Sequence, residues 1–122
     1  MLNKQLDNIQ AVVQNYFEGI YNGDAAQLNE VFYSGTLLFG DIKGVPYFKT
    51  VTDYIDGVKS RKSPKELGEE FKMEILSIEK LGDNAIVKAQ LLMLGYNYFD
   101  FLSLAKINED WKIVNKLFTH VE

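Results

Sequence analysis

The chain has 122 residues, 47% of them apolar, with 8 Phe, 7 Tyr, 1 Trp and no cysteine, which excludes a disordered segment, a disulfide scaffold and thiol chemistry. Its 13 basic and 17 acidic side chains leave a formal charge of −4, and an acidic chain with no basic face is a poor nucleic-acid binder. The longest uncharged run, Ala89 to Phe99, falls short of the roughly 18 apolar residues of a membrane span, and Met1 to Asp7 lack the basic-then-apolar layout of a signal peptide, so one cytoplasmic domain over residues 1–122 is expected, with no membrane partner.

Leu6, Ile9, Val13, Tyr16, Phe17 and Ile20 recur at steps of three and four, which predicts a first helix with these residues on one face. Gly23 stands where a C-terminal cap belongs. Asp24 followed by Gln27 resembles a capping box opening a second, shorter helix, with Leu28, Val31 and Phe32 on its apolar side. Thr36 to Phe39 reads as a short strand broken by Gly40 and Gly44, and Pro46, Tyr47 and Phe48 as another extended piece. Thr50 or Thr52 caps a third helix with Val51, Tyr54, Ile55 and Val58 on its apolar face. Residues 59–70 form a loop that mixes Lys59, Arg61, Lys62 and Lys65 with Glu66, Glu69 and Glu70.

Strands fill the rest. Phe71, Met73 and Ile75 alternate, then Leu76 and Ile78 continue in the opposite parity, which predicts a bulge. Gly82-Asp83-Asn84 turns the chain. Ala85 to Tyr96 is apolar on both faces, as a central strand would be. Tyr98 to Ile107 and Trp111 to Thr119 are the last two strands, joined at Asn108-Glu109-Asp110. The layout is α+β: three N-terminal helices packed on a strongly curved antiparallel sheet, with a pocket enclosed between them.

A three-residue turn at 108–110 pairs Ile107 with Trp111. It then sets Ala105 opposite Ile113, Leu104 opposite Val114, Ser103 opposite Asn115, Leu102 opposite Lys116, Phe101 opposite Leu117, Asp100 opposite Phe118 and Tyr98 opposite His120. In that register Asp100 is diagonal to both Lys116 and His120. A partly buried carboxylate beside an imidazole can move a proton near neutral pH; an ion pair that orients the C-terminus is the competing reading. Tyr16 and Tyr54 turn inward from their helices, where a phenol needs a partner, either a ligand oxygen or a backbone carbonyl. The basic cluster Lys59, Arg61, Lys62 and Lys65 either guides an anionic ligand or, as the favoured reading, is a solvated loop offset by nearby glutamates. A lone histidine and no spaced ligand set argue against a metal site, and no nucleophile elbow or phosphate loop is present. No cofactor is expected.

The run Asn15-Tyr16-Phe17-Glu18-Gly19-Ile20-Tyr21-Asn22-Gly23-Asp24 resembles the first helix and turn of the cone-shaped nuclear-transport-factor-2-like superfamily, also described as cystatin-like. The ending Asp100 to Ile107, then Trp111 to Phe118, is similar to its bacterial subgroup named "putative lumazine-binding" proteins, as are Ser63-Pro64 and Glu74 to Ile78. The resemblance implies a helix-covered curved sheet with an internal cavity, usually as a dimer packed through its sheets. Ketosteroid isomerases and polyketide cyclases share the cone. Their isomerase pattern has a helix-one tyrosine, a base on the first strand and an acid on a late strand. Tyr16 matches the tyrosine. Leu38-Phe39-Gly40 stands near the base position, with Asp41 adjacent, and Ser103 near the late acid, with Asp100 three residues before. Relatives often carry His-Pro-Asp after the second helix; here the chain reads Tyr33-Ser34-Gly35.

Three functions are therefore expected to compete. The first is a small-molecule-binding domain for a hydrophobic or planar aromatic ligand, with pocket candidates Tyr16, Phe39, Phe48, Tyr54, Asp100, Ser103, Lys116, Phe118 and His120. The second is an isomerase, dehydratase or cyclase with Asp100 or Asp41 as base and Tyr16 as oxyanion donor. The third is an interaction or dimerisation module that presents Phe101, Ile113 and Leu117 on an outer sheet face.

Overall fold

The computed structural model describes residues 3–122. Its elements are α1 (Lys4–Asn22), α2 (Ala25–Val31), β1 (Phe32–Ile42), β2 (Val45–Thr50), α3 (Val51–Ser60), β3 (Met73–Leu81), β4 (Asn84–Met93), β5 (Tyr96–Ile107) and β6 (Asp110–His120). The six strands form one sheet in the order β2-β1-β6-β5-β4-β3. All neighbours are antiparallel except β1 and β6, which run parallel. The mixed sheet follows from the route of the chain. After the β1–β2 hairpin, α3 and the 61–72 loop carry it to the far edge, and three hairpins bring it back beside β1.

Each helix starts where a side chain replaces missing backbone partners. Asn3 Oδ1 accepts the Gln5 and Leu6 N–H groups, Asp24 Oδ1 accepts the Gln27 N–H at 3.1 Å, and Thr50 Oγ1 accepts the Asp53 N–H at 3.2 Å. The Gln27 amide turns to Asn15 and Glu18 instead of back to Asp24, so only half of the capping box forms. Gly23 ends α1 at φ 68°, a conformation that suits glycine.

All three helices lie on one face of the sheet. Ile9, Val13, Phe17 and Ile20 of α1, Leu28 of α2 and Ile55 and Val58 of α3 are buried against Leu38, Val87, Ala89, Leu91, Leu102, Leu104 and Ile113. Trp111 Nε1 donates to Gln5 Oε1 at 2.8 Å and ties the start of α1 to β6. Strand β4 departs from the expectation of burial on both sides: its residues alternate between buried and exposed or half-exposed, with Ile86 and Leu92 outside. The helices cover one face only, so its other face stays at the surface.

Register irregularities shape the sheet. The predicted bulge in β3 falls between Ile75 and Ser77. A second sits in β6 at Val114. The β5–β6 turn has two residues, not three: Asn108 and Glu109 both have positive φ, and Ile107 pairs with Asp110. Leu104 therefore meets Ile113 and Ala105 meets Lys112, one step off the predicted pairing. Val114 is then left over, and from Ser103–Asn115 to Tyr98–His120 the predicted register holds. The same irregularity faces β1, where Tyr33 to Thr36 bow away from β6 and the buried Thr36 hydroxyl donates to the Ile113 carbonyl at 2.9 Å. No helix among the described residues is long and apolar enough to cross a membrane.

Candidate functional site

The bulge at Val114 determines which side chains point at the helices. Beyond it Lys116 and Phe118 face inward from β6, and Asp100 and Leu102 from β5. Tyr16 reaches this point from the middle of α1 and Tyr54 from α3. The result is a buried polar cluster inside an apolar core. The Tyr16 hydroxyl donates to Asp100 Oδ2. Lys116 Nζ lies 3.8 Å from the same oxygen and donates to the Tyr54 hydroxyl at 3.1 Å. Both partners address Oδ2, and Oδ1 accepts no side-chain hydrogen bond among the described residues. The ammonium also stands 4.4 Å from the Tyr54 ring centre and 5.2 Å from those of Tyr16 and Phe118, so aromatic faces take the place of part of its hydration.

Burial raises the Asp100 pKa, and the Lys116 charge and the Tyr16 hydrogen bond offset only part of that rise. Burial opposes the Lys116 charge, but Asp100, Tyr54 and Tyr47 outweigh it and hold the ammonium above the ordinary lysine value. Burial, and then Asp100, push Tyr16 well above the ordinary phenol range. At neutral pH Tyr16 is thus a neutral donor and Lys116 a cation. Asp100 is a carboxyl that takes up a proton more readily than an exposed aspartate.

A cavity of about 50 Å³ opens beside Asp100. Tyr54, Lys116 and Phe118 form its floor with Asp100. Leu91 and Met93 of β4 and Ile42 of β1 supply apolar wall, and Tyr47, Tyr98 and Arg61 close its outer end. The volume is well below the roughly 300–1,000 Å³ of a drug-sized pocket. It suits a small group, and a larger ring needs the half-buried Tyr47, Tyr98 and Arg61 to turn aside. A bigger trough of about 580 Å³ runs past the β4–β5 turn between Lys43, Glu69, Lys72 and His120. It is open surface with charges of both signs, and the buried cluster does not reach it.

Of the residues singled out in the sequence, Tyr54, Asp100, Lys116 and Phe118 line the cavity, and Tyr16 stands behind Asp100, fully buried. Four others lie elsewhere. Phe39 and Phe48 stack on each other at 4.7 Å on the outer face of the sheet, 42% and 59% exposed. In β1 it is Leu38, Gly40 and Ile42 that turn inward, so Phe39 and Asp41 turn out; Asp41 accepts the Thr119 hydroxyl at 2.7 Å. Ser103 pairs with Asn115 on that outer face as well. His120 is not beside Asp100: its Nδ1 accepts the Asn97 N–H at 3.1 Å at the sheet end, and its ring packs against Tyr96. Ile113, expected outside with Phe101 and Leu117, is fully buried because the bulge reverses its parity.

Sequence reasoning does not name Tyr47 and Tyr98 as pocket residues, and for Arg61 it prefers a solvated loop over contact with an anionic ligand; all three line the cavity. Arg61 caps the C-terminal end of α3, where its N–H meets the Gly57 carbonyl, and its side chain enters the cavity. Tyr47 carried a signal: it alternates with Phe48 in an extended segment, so one of the two had to face inward. Among the described residues no three His, Asp or Glu side chains gather as a metal-binding group.

The helix-backed mixed sheet has the fold of the nuclear-transport-factor-2-like class of α+β proteins. Solved structures with this fold include NTF2-like proteins from Silicibacter pomeroyi (TM-score 0.88, 20% identity, 97% of each chain covered) and Methylobacillus flagellatus (TM-score 0.88, 21% identity, 100% of this chain and 96% of that one). Within this class the chain belongs to the family described as "Putative lumazine-binding", whose model matches residues 4–119. Membership supports a ligand-binding or isomerase-like domain. The chain is also 26% identical over 118 residues to the aldolase FrzH of Cladobotryum sp, covering 95% of this chain and 91% of that one.

Proposed function

We propose that this chain binds a small planar organic molecule in the cavity beside Asp100. The observation that carries this reading is a buried carboxylate that lines the cavity and is held on one oxygen by Tyr16 and Lys116. Buried polar groups that converge on a mostly apolar cavity are the usual mark of a ligand site. The family's description supports a planar heterocycle as occupant.

A second reading, proton transfer of the isomerase, dehydratase or cyclase kind, is favoured by the raised Asp100 pKa, since a general base works best when its pKa approaches the working pH. Asp100 takes the proton from a carbon beside a carbonyl. The Tyr54 hydroxyl and the Lys116 charge stabilise the resulting enolate oxygen. Tyr16 gives its one proton to Asp100, so it positions the base instead of acting as oxyanion donor. Asp41 has no part, because it faces outward. The likeness to an aldolase supports enolate chemistry of this type.

Self-association through the sheet completes the proposal. Phe48, Phe39, Leu117 and Phe101 stand side by side across β2, β1, β6 and β5 on the outer face, all of them at least 39% exposed. An apolar stripe of this kind suits burial against a second copy.

A thermal-shift screen of lumazines, flavins, steroids, polyketide-like phenols and small carboxylates tests the binding reading. A ligand at 100 times its Kd adds about 2.7 kcal/mol of stability, or about 8–16 °C in a domain of this size. One chemical class is expected to raise Tm in the wild type and less in Asp100→Asn. No shift across the panel contradicts the reading.

A further inference from the structure

Resting on the cavity reading above, we infer that the occupant carries a carboxylate and that Arg61 is its seat. The Nε and Nη2 atoms of Arg61 are buried and donate to no protein acceptor. They are the only buried side-chain polar atoms among the described residues in that condition. Together they form the side-on edge of the guanidinium fork, which holds a carboxylate by two parallel hydrogen bonds.

The charges around the cavity lead to the same ligand. Lys116 is matched by Asp100, while Arg61 pairs with no carboxylate among the described residues. The groups that line the outer end with Arg61 are the phenols of Tyr47 and Tyr98, both raised in pKa by burial and hence neutral. An ionised guanidinium in such surroundings is costly to bury without a counter-charge. Water supplies dipoles but no charge, and a ligand anion supplies both. With Arg61 at the outer end and Asp100 at the floor, a planar acid is oriented carboxylate outward, with its remaining body toward Asp100 and Tyr54.

Arg61 is the only arginine of the chain, so its Nε–H gives a single, unambiguous NMR signal. Acetate and benzoate are titrated into the full chain, with acetamide and benzamide as neutral counterparts of equal shape and inorganic phosphate as a second anion. At least one carboxylate is expected to move the Arg61 Nε–H signal saturably, while its amide at the same concentration leaves it in place. Arg61→Met is expected to weaken carboxylate binding by about 10–150-fold, the range of a lost charged hydrogen bond. The ligand-free variant is expected to melt about 2–6 °C higher, because an unpaired buried charge is gone. Arg61→Lys keeps the charge without the fork and is expected to fall between. Equal response to acid and amide, or a response to phosphate alone, overturns the carboxylate assignment while leaving the cavity a ligand site. If the thermal-shift panel and these probes all leave the tyrosines of the cavity unmoved, the ligand-site reading falls with it.

Discussion

The Tyr16 hydroxyl donates to Asp100 across 84 residues of sequence, joining the middle of α1 to the middle of β5. Neither residue is exposed. This bond holds the helix layer to the sheet at a polar point and fixes the oxygen that Lys116 also approaches. Tyr16→Phe keeps the edge contact with Phe32 and removes only the hydroxyl. It is expected to cost about 1–3 kcal/mol, the penalty for a buried acceptor left short of a donor, as read by urea denaturation.

The same bond is one of three influences on the titration of Asp100. Burial raises its pKa, and Lys116 and then Tyr16 pull it down. Carboxyl ¹³C NMR is expected to place its midpoint above the ordinary aspartate value of about 3.9. Lys116→Met is expected to move it higher still, and Tyr16→Phe higher by a smaller step. A native pKa above the unfolded one means that the contribution of Asp100 to stability is complete below about pH 4 and is lost as pH rises through the native value. A midpoint that falls in Lys116→Met contradicts the ion pair.

Alkaline behaviour follows from the phenols. Tyr16, Tyr47 and Tyr98 all have raised pKa values, chiefly from burial. In the unfolded chain they ionise near pH 10, so the folded state holds more protons above that point and stability falls as pH rises. Denaturation midpoints measured between about pH 9.5 and 11.5 are expected to drop, and to drop less steeply in Tyr16→Phe. An identical slope in the variant contradicts a buried neutral Tyr16.

Two glycines separate packing from chain entropy. A Cβ on Gly40 would lie 2.5 Å from the Phe118 ring and from the Phe118 carbonyl oxygen. Gly40→Ala is therefore expected to cost about 1–3 kcal/mol and to displace Phe118 from the cavity floor. A Cβ on Gly57, inside α3, meets nothing within 4 Å, and Gly57→Ala is expected to stabilise by about 0.4–1 kcal/mol. Thermal melts of both variants check the contrast.

The outer stripe predicts an oligomer. Phe101→Glu with Leu117→Glu puts two charges side by side at its β5–β6 end and is expected to give a monomer by sedimentation, with cavity ligands still bound. A wild type that is monomeric at micromolar concentration contradicts pairing through this face.

Much of the cavity floor was legible because parity is robust. Asp100, Lys116 and Phe118 share a face in any register that pairs 98–103 with 115–120, and the helical steps place Tyr16 and Tyr54 inward. The turn was misjudged by one residue because Glu109 adopts a left-handed conformation unusual for glutamate. The bulge at Val114 absorbed the error beyond it but reversed Ile113. The facing of β1 was not legible, since Leu37 and Phe39 are as apolar as Leu38 and Ile42; what settles it is the close approach of Gly40 to Phe118. Arg61 was hidden among lysines and glutamates, and only the end of α3 turning over the sheet brings it inside.

Side-chain NMR of tyrosine and phenylalanine during titration with a small planar acid tests the central claim most directly. The account predicts saturable shifts at Tyr47, Tyr54, Tyr98 and Phe118, with Phe39 and Phe48 unmoved. Shifts confined to Phe39 and Phe48, with the cavity residues silent, would place binding on the outer face and contradict a ligand site at Asp100.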